Sequence, residues 1–156
     1  MTPELQQKAH ELYALYSEAI SDDRLEDWPD LFVDDCQYRL ISRQNHDRGL
    51  PLATILCESR GALVDRVTAI RNTMVFQPRR VAHTFSNLRI VSGEGDELTA
   101  RSMFCVWQTL TDGQTRLQMV GRSFDRLVRD GDSLKFLERL AVFDSELVPG
   151  SIVYPV

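Results

Sequence analysis

The sequence predicts an α+β fold, a cone-shaped half-barrel in which three N-terminal helices close a curved antiparallel sheet. Apolar residues recur at helical spacing in the N-terminal part of the chain, whereas the later part consists of long apolar runs joined by short turns rich in Asp and Gly. A length of 156 residues suffices for one domain, so we expect residues 1–156 to fold as a single unit.

The helices come first. An apolar stripe from Leu5 to Ile20 predicts a helix that Pro3 opens and Thr2 caps. Four further segments follow from apolar spacing and from Asn, Gly and Pro content: a short helix over Leu25–Phe32, a strand over Gln37–Ile41, a loop over Ser42–Ala53, and a helix over Ile55–Arg71 capped by Thr54.

Long strands are predicted in the second half of the chain. Their connections contain Gly93 to Asp96, Asp112-Gly113 and Asp130-Gly131, which are typical of hairpins. Neighbouring strands should therefore run antiparallel as a meander, followed by an irregular tail over Glu146–Val156. The predicted strands are Val81–Val91, Leu98–Leu110, Thr115–Val128 and Leu134–Phe143.

Composition and charge exclude several classes of protein. Hydrophobic residues make up 43% of the chain and charged residues 26%, a globular and not a disordered composition. The net charge of −5 argues against a general nucleic-acid binder, and no apolar run approaches the roughly 20 residues that cross a bilayer. Because the N-terminus lacks an apolar signal segment, we expect a cytoplasmic protein without membrane or nucleic-acid partners. Cys36, Cys57 and Cys105 have no metal-binding spacing, so buried free thiols and no metal site are expected.

The predicted strand Leu98–Leu110 is apolar on both faces, with Phe104 on one face and Met103, Cys105 and Trp107 on the other. Full burial of a side chain of this size stabilises a protein by about 1.5–3 kcal/mol, and a side chain that stays in water does not contribute this stabilisation. We therefore expect another chain to cover the second face. The alternative is cover by the chain's own tail, through Ile152, Val153 and Tyr154.

Arginines lie along the same strands. This residue type is enriched at protein interfaces because its planar fork pairs with carboxylates and stacks on rings. For any single arginine, the alternative to a subunit contact is a position at a solvated edge of the sheet. The set comprises Arg79, Arg80, Arg89, Arg101, Arg116, Arg122, Arg126 and Arg139.

A cone with an internal cavity is also compatible with a stand-alone dehydratase or isomerase that uses His83 with an aspartate, or with a small-molecule binding module. Such an enzyme needs an acid–base pair within hydrogen-bond reach of its substrate. The sequence contains no nucleophile elbow, dinucleotide motif or P-loop. The candidate residues for such acid–base chemistry are His83, Asp35, Tyr38, Tyr16 and Asp144.

An ordered set of segments resembles a known family: Leu25–Arg39, Asn45–Leu50, Leu63–Val67, Arg80–His83 with Asn87, and Glu138–Ser145. Together they are similar to the small (beta) subunit of Rieske non-haem iron aromatic-ring-hydroxylating oxygenases. The resemblance runs from Tyr13 to Ser145 and implies an NTF2-like (cystatin-like) cone, similar to nuclear transport factor 2 and scytalone dehydratase. That expectation agrees with the pattern-based fold.

The resemblance also implies partners and cofactors. Small subunits of this family assemble with a large (alpha) subunit as three of each, α3β3, so self-association as a trimer is expected too. The large subunit carries the Rieske [2Fe-2S] cluster and the mononuclear Fe(II), and NAD(P)H supplies electrons through a reductase. This chain is then a structural subunit with no catalytic residue, metal or cofactor of its own.

Two narrower expectations follow from the resemblance. The segment Asn45–Leu50 is similar to small subunits that serve aromatic acids such as terephthalate, anthranilate or salicylate. The residues expected to contact partner subunits are Arg79, Arg80, His83, Trp107 and Tyr154.

Overall fold

The computed structural model describes residues 2–148 and 150–156, and within them the helices and two strands precede the four long strands of the second half. The hydroxyl of Thr2 accepts a hydrogen bond from the backbone N–H of Leu5 at 3.3 Å and so caps the first helix, as predicted. The elements in chain order are α1 (Pro3–Ser21), a 3-10 helix (Leu25–Leu31), β1 (Phe32–Ser42), α2 (Arg43–Asp47), β2 (Ile55–Cys57), α3 (Arg60–Asn72), β3 (Arg79–Glu94), β4 (Glu97–Leu110), β5 (Thr115–Asp130) and β6 (Ser133–Phe143).

The predicted start of the third helix is wrong. Ile55–Cys57 forms β2, whose alternating burial is the pattern of a strand with one face inward. Helix α3 begins only at Arg60, and its cap is Ser59, whose hydroxyl accepts from the backbone N–H of Ala62 at 3.1 Å. The predicted loop Ser42–Ala53 also contains a short helix, α2.

The six strands form one sheet in the order β2-β1-β6-β5-β4-β3. Strands β3 to β6 are an antiparallel meander, which confirms the hairpin prediction. Strand β1 departs from it, because it pairs in parallel with β6, with Tyr38 opposite Arg139. The α+β cone is thus confirmed, with a sheet that is mixed at one pairing.

The core lies between the concave face of the sheet and α1, which packs against β3 and β6. Its centre is aromatic: the rings of Tyr13 and Tyr16 lie 5.3 and 5.6 Å from the ring of Phe136, and Trp28 lies 5.2 Å from Tyr38. Edge-to-face pairs at these distances add about 0.5–1.5 kcal/mol each beyond area burial. The same contacts fix α1 over the middle of the sheet.

The tail closes the mouth of the cone from the inside. Residues 151–156 are without helix or strand, as predicted for Glu146–Val156, of which position 149 lies outside the described residues. The hydroxyls of Tyr16 and Tyr38 donate to the backbone oxygen of Val156 at 2.8 and 3.2 Å, and Arg66 Nη2 donates to the backbone oxygen of Val153 at 2.9 Å. Val153 and Val156 are buried in the core. The tail therefore completes the inner packing.

No helix within residues 2–148 and 150–156 is both long enough and apolar enough to cross a membrane.

Candidate functional site

A polar cluster lies inside the cone, centred on Asp125 of β5. Asp125 Oδ2 accepts hydrogen bonds from the hydroxyl of Tyr13, from Ser123 Oγ at 2.7 Å and from Arg139 Nη1 at 3.0 Å. None of these four residues is more than 1% exposed. The cluster ties α1 to β5 and β6 and has no opening to solvent.

The charges of this cluster are balanced internally. Burial raises the pKa of Asp125, while the positive charge of Arg139 opposes that rise. The Arg139 guanidinium lies 4.1 Å above the ring of Tyr16 and 5.5 Å from that of Tyr13, so aromatic faces shield it as well. Burial raises the pKa of Tyr13 and Tyr16, which keeps both hydroxyls protonated. The arrangement is a structural ion pair, and it offers no accessible base.

Three of the residues considered for a stand-alone enzyme lie together in the core: the ring of Tyr16 is 5.4 Å from that of His83, and the hydroxyls of Tyr16 and Tyr38 donate to the same oxygen of Val156. His83 is 4% exposed and its Nδ1 lies 2.8 Å from Ser17 Oγ, and no carboxylate of residues 2–148 and 150–156 is paired with it. Asp35 is exposed, and so is Asp144, which accepts a hydrogen bond from Arg43 Nε at 2.8 Å. Tyr16 and Tyr38 are buried and bind the tail.

Sequence reasoning missed the acidic residue that the fold does place in the cone. Asp125 lies between Ser123 and Leu127, and all three face inward along β5. The signal that could have found it is this alternation, which puts an aspartate in phase with core residues.

The burial of His83 predicts a pH dependence of stability. Burial, together with the positive charge of Arg139, lowers the pKa of His83 from 6.5 to about 3. Between these two values the unfolded chain binds a proton that the folded chain does not, so stability falls as the pH falls from 6.5 toward 3. The slope from this residue is at most about 1.4 kcal/mol per pH unit.

The pH prediction is measured by urea unfolding at pH 7.5 and pH 5.0. His83→Gln should lose less stability than the wild type between these two values, and His10→Gln, at an exposed position, is the matched control. Equal losses in wild type and His83→Gln would show that this imidazole protonates readily in the fold.

The outer face of the sheet carries exposed apolar side chains, as the two-sided pattern of β4 predicts. Trp107 is 41% exposed, Leu117 on β5 is 44% exposed, and Met103 is 37% exposed. Trp107 lies opposite Leu117 across β4 and β5 and opposite Ala82 on β3. The tail packs at the inner mouth and leaves these side chains uncovered. We call Met103, Trp107 and Leu117 the apolar strip.

The five residues predicted to contact partners occupy three different places. Arg80 and Trp107 lie on the outer face, where Arg80 pairs with Thr109. Arg79 lies over the ring of Phe76 at 5.5 Å and donates to the backbone oxygen of Ser151 at 3.1 Å. Tyr154 is half-buried, with its ring 6.1 Å from Phe76. His83 lies inside the core and is 4% exposed.

One of the strand arginines is also interior. Arg139 is 1% exposed and belongs to the buried cluster, so it offers no surface to another chain. The sheet bends so that residue 139 of β6 faces inward, beside a register shift between Arg126 and Leu127 of the neighbouring strand.

The described part of the chain holds no group of three or more His, Cys, Asp or Glu side chains that could ligate a metal ion. Burial raises the pKa of the Cys36 thiol to about 11 and also raises that of Cys57. These thiols are protonated in the chain without a metal. Because they belong to no group of three or more donors, residues 2–148 and 150–156 do not fit an iron centre.

Comparison with known proteins connects this architecture to a family. The family model "Ring hydroxylating beta subunit" matches residues 17–150. The small subunit of anthranilate 1,2-dioxygenase from Burkholderia cepacia is 30% identical over 149 residues, which is 94% of this chain and 92% of that subunit. A beta subunit of the terminal oxygenase component of terephthalate 1,2-dioxygenase from Comamonas sp is 29% identical over 92% of this chain and 93% of that one.

A solved structure agrees with the family match and with the two sequence relatives. The beta subunit of a candidate aromatic-ring-hydroxylating dioxygenase from Novosphingobium aromaticivorans is 36% identical, with a TM-score of 0.89 over 97% of each chain. The family match covers most of the sequence, and the structural match extends over the cone and its closing tail. The chain therefore belongs to the family of ring-hydroxylating beta subunits.

Proposed function

We propose that this chain acts as a scaffold that holds the large subunits of the dioxygenase in place and contributes no catalytic group of its own. The observation that carries the proposal is the apolar strip of Met103, Trp107 and Leu117, which is exposed on the outer face of the sheet. Exposed apolar side chains in a contiguous group mark protein interaction sites. Inside the cone, Asp125 and His83 are at most 4% exposed, which supports a role without catalysis by these two residues.

The proposed assembly contains three large and three small subunits, with the small subunits also in contact with one another. The large subunits hold the Rieske [2Fe-2S] cluster and the mononuclear Fe(II), which together supply the electron transfer and oxygen chemistry. Electrons come from NAD(P)H through a reductase, so we expect the complex to work in the cytoplasm. The role of this chain is to fix the spacing of neighbouring large subunits.

The proposed substrate is an aromatic acid. Two relatives are named for anthranilate and for terephthalate, and both of these compounds carry a carboxylate on an aromatic ring. The interior of this chain is closed, so we assign the choice of substrate to the large subunit.

The test is to co-express the chain with its large subunit and compare wild type with Trp107→Asp. The substitution removes a large aromatic contact and places a charge where the partner chain excludes water. Truncating a central aromatic contact costs about 2–4 kcal/mol, so the dissociation constant should rise about 30- to 1000-fold. Light scattering after size exclusion gives the masses of the complex and its parts.

Val75→Asp is the matched control, because Val75 is fully exposed in the segment between α3 and β3. It should leave the complex intact. If Trp107→Asp assembles as tightly as Val75→Asp, Trp107 is outside the interface. If the wild-type chain does not co-purify with the large subunit at all, the scaffold proposal is wrong.

A further inference from the structure

The arginines of the outer face fall into two groups that differ in how their charge is balanced. Arg126 donates to Glu138 Oε1 at 2.6 Å and to Glu97 Oε2 at 2.7 Å, so two carboxylates of this chain match it. Arg101 and Arg122 are exposed, and neither has a carboxylate within 4.0 Å among residues 2–148 and 150–156. The second group therefore presents unmatched positive charge, in a chain whose net charge is −5.

The strand register gathers a third arginine beside these two. Arg89 lies directly opposite Arg101 across β3 and β4, and Arg122 lies opposite Met103 across β4 and β5. Like charges directly opposite one another destabilise a sheet. Arg89 also lacks a carboxylate partner in the part of the chain that the structure describes. We call Arg89, Arg101 and Arg122 the arginine cluster.

The cluster borders a shallow groove of about 320 Å³, lined in part by Asn87, Arg101, Met103, Arg122 and Phe124. The groove follows from a bulge in β3, between Ser86 and Arg89, where Asn87 takes a positive φ of 53°. A β-bulge changes the direction of neighbouring side chains, and bulges are common beside functional sites.

Arg101 is held in position by an aromatic stack. Its guanidinium lies 5.3 Å from the centre of the Phe124 ring, and the imidazole of His46 from α2 is stacked on the same ring at 5.7 Å. An arginine fixed in this way loses less side-chain freedom on binding. Its planar fork can then donate two parallel hydrogen bonds to one carboxylate.

We propose that the arginine cluster is a docking site for carboxylate side chains of the large subunit. The inference rests on the proposed scaffold function and adds the chemistry of a second contact, which is ionic, beside the apolar one at Trp107. Met103 belongs to both the apolar strip and the groove, and on the same face of β4 the half-buried Cys105 lies between it and Trp107. Three arginines in an acidic chain are too few for the long basic track of a nucleic-acid site.

The experiment measures the affinity of the chain for its large subunit as a function of NaCl concentration. The variant is Arg101→Gln/Arg122→Gln, which removes both charges and keeps polar side chains at both positions. We expect the dissociation constant to rise about tenfold at low salt, with the difference from wild type shrinking as salt screens the ionic contact. Arg126→Gln, on the same face but matched by Glu97 and Glu138, is the control and should change affinity less than about twofold.

The outcomes separate this inference from the scaffold proposal. If Trp107→Asp breaks the complex while the arginine double variant matches Arg126→Gln at every salt concentration, the docking site is wrong and the scaffold stands. If the wild-type chain does not bind the large subunit, both are wrong. Thermal unfolding of each variant reports folding, and the single variants Arg101→Gln and Arg122→Gln should each give part of the loss. A wild-type chain that binds a DNA duplex through these arginines would assign the cluster to phosphate instead and overturn the proposal.

Discussion

Arg139→Met is expected to lower the free energy of unfolding by about 3–5 kcal/mol, a large share of the roughly 5–15 kcal/mol that a domain has. Arg139 is fully buried and donates to Asp125 at 3.0 Å. Methionine fills a similar volume, but it leaves the Asp125 carboxylate without its countercharge in a site that water does not reach. The measurement is urea unfolding followed by tryptophan fluorescence.

Two further variants serve as controls for Arg139→Met. Arg126→Met removes an arginine with two carboxylate partners at the surface, where such pairs contribute about 0–1 kcal/mol. Asp125→Asn/Arg139→Met removes both buried charges and keeps an oxygen that accepts from Tyr13 and Ser123, so it should be more stable than Arg139→Met alone. Equal midpoints for Arg139→Met and Arg126→Met would mean that burial of the pair carries no energetic weight.

Gly121→Ala is the second substitution with a large expected effect. Gly121 lies in β5 opposite Phe104, and an added Cβ would meet the backbone oxygen of Val142 and lie 2.7 Å from Cζ of Phe104. The backbone oxygen belongs to the neighbouring strand and cannot rotate away, so β5 and β6 must separate locally. Overpacking of this kind costs about 1–3 kcal/mol, and we expect the upper end of that range.

Gly61→Ala is the control for Gly121→Ala, and its expected effect has the opposite sign. Gly61 lies in the first turn of α3, and the nearest atom to an added Cβ is Ser59 Oγ at 3.7 Å. Alanine fits there and restricts the unfolded chain, which should stabilise the protein by about 0.4–1 kcal/mol. Destabilisation by both substitutions would show that the clash at Gly121 does not determine the result. Chemical denaturation of both variants gives the comparison.

Local signals in the sequence were sufficient for most of the fold. The stripe from Leu5 to Ile20 predicts α1 because only one face of that helix meets the sheet. The Asp-Gly turns predict the hairpins because Gly113 and Gly131 take positive φ values of 80° and 60° there. Each of these features is decided by neighbouring residues, so a sequence pattern can report it.

Features decided by distant residues were not predictable in the same way. Ile55–Cys57 is too short for a strand pattern, and it becomes β2 only because β1 lies beside it. The parallel pairing of β1 with β6 joins segments from opposite ends of the chain. The burial of Arg139 could not be expected from its residue type, since arginine is almost never fully buried unless it is paired. Only the fold brings Asp125 to it.

The parallel pairing of β1 with β6 also has a consequence for how the protein is made. Until the last strand has left the ribosome, β1 has no partner on that side, and Phe32 and Tyr38 have no β6 residues to pack against. Contacts between chain ends raise the contact order, which slows folding and lengthens the time during which apolar surface is exposed to aggregation. The cone therefore stays incomplete during synthesis until β6 has been made.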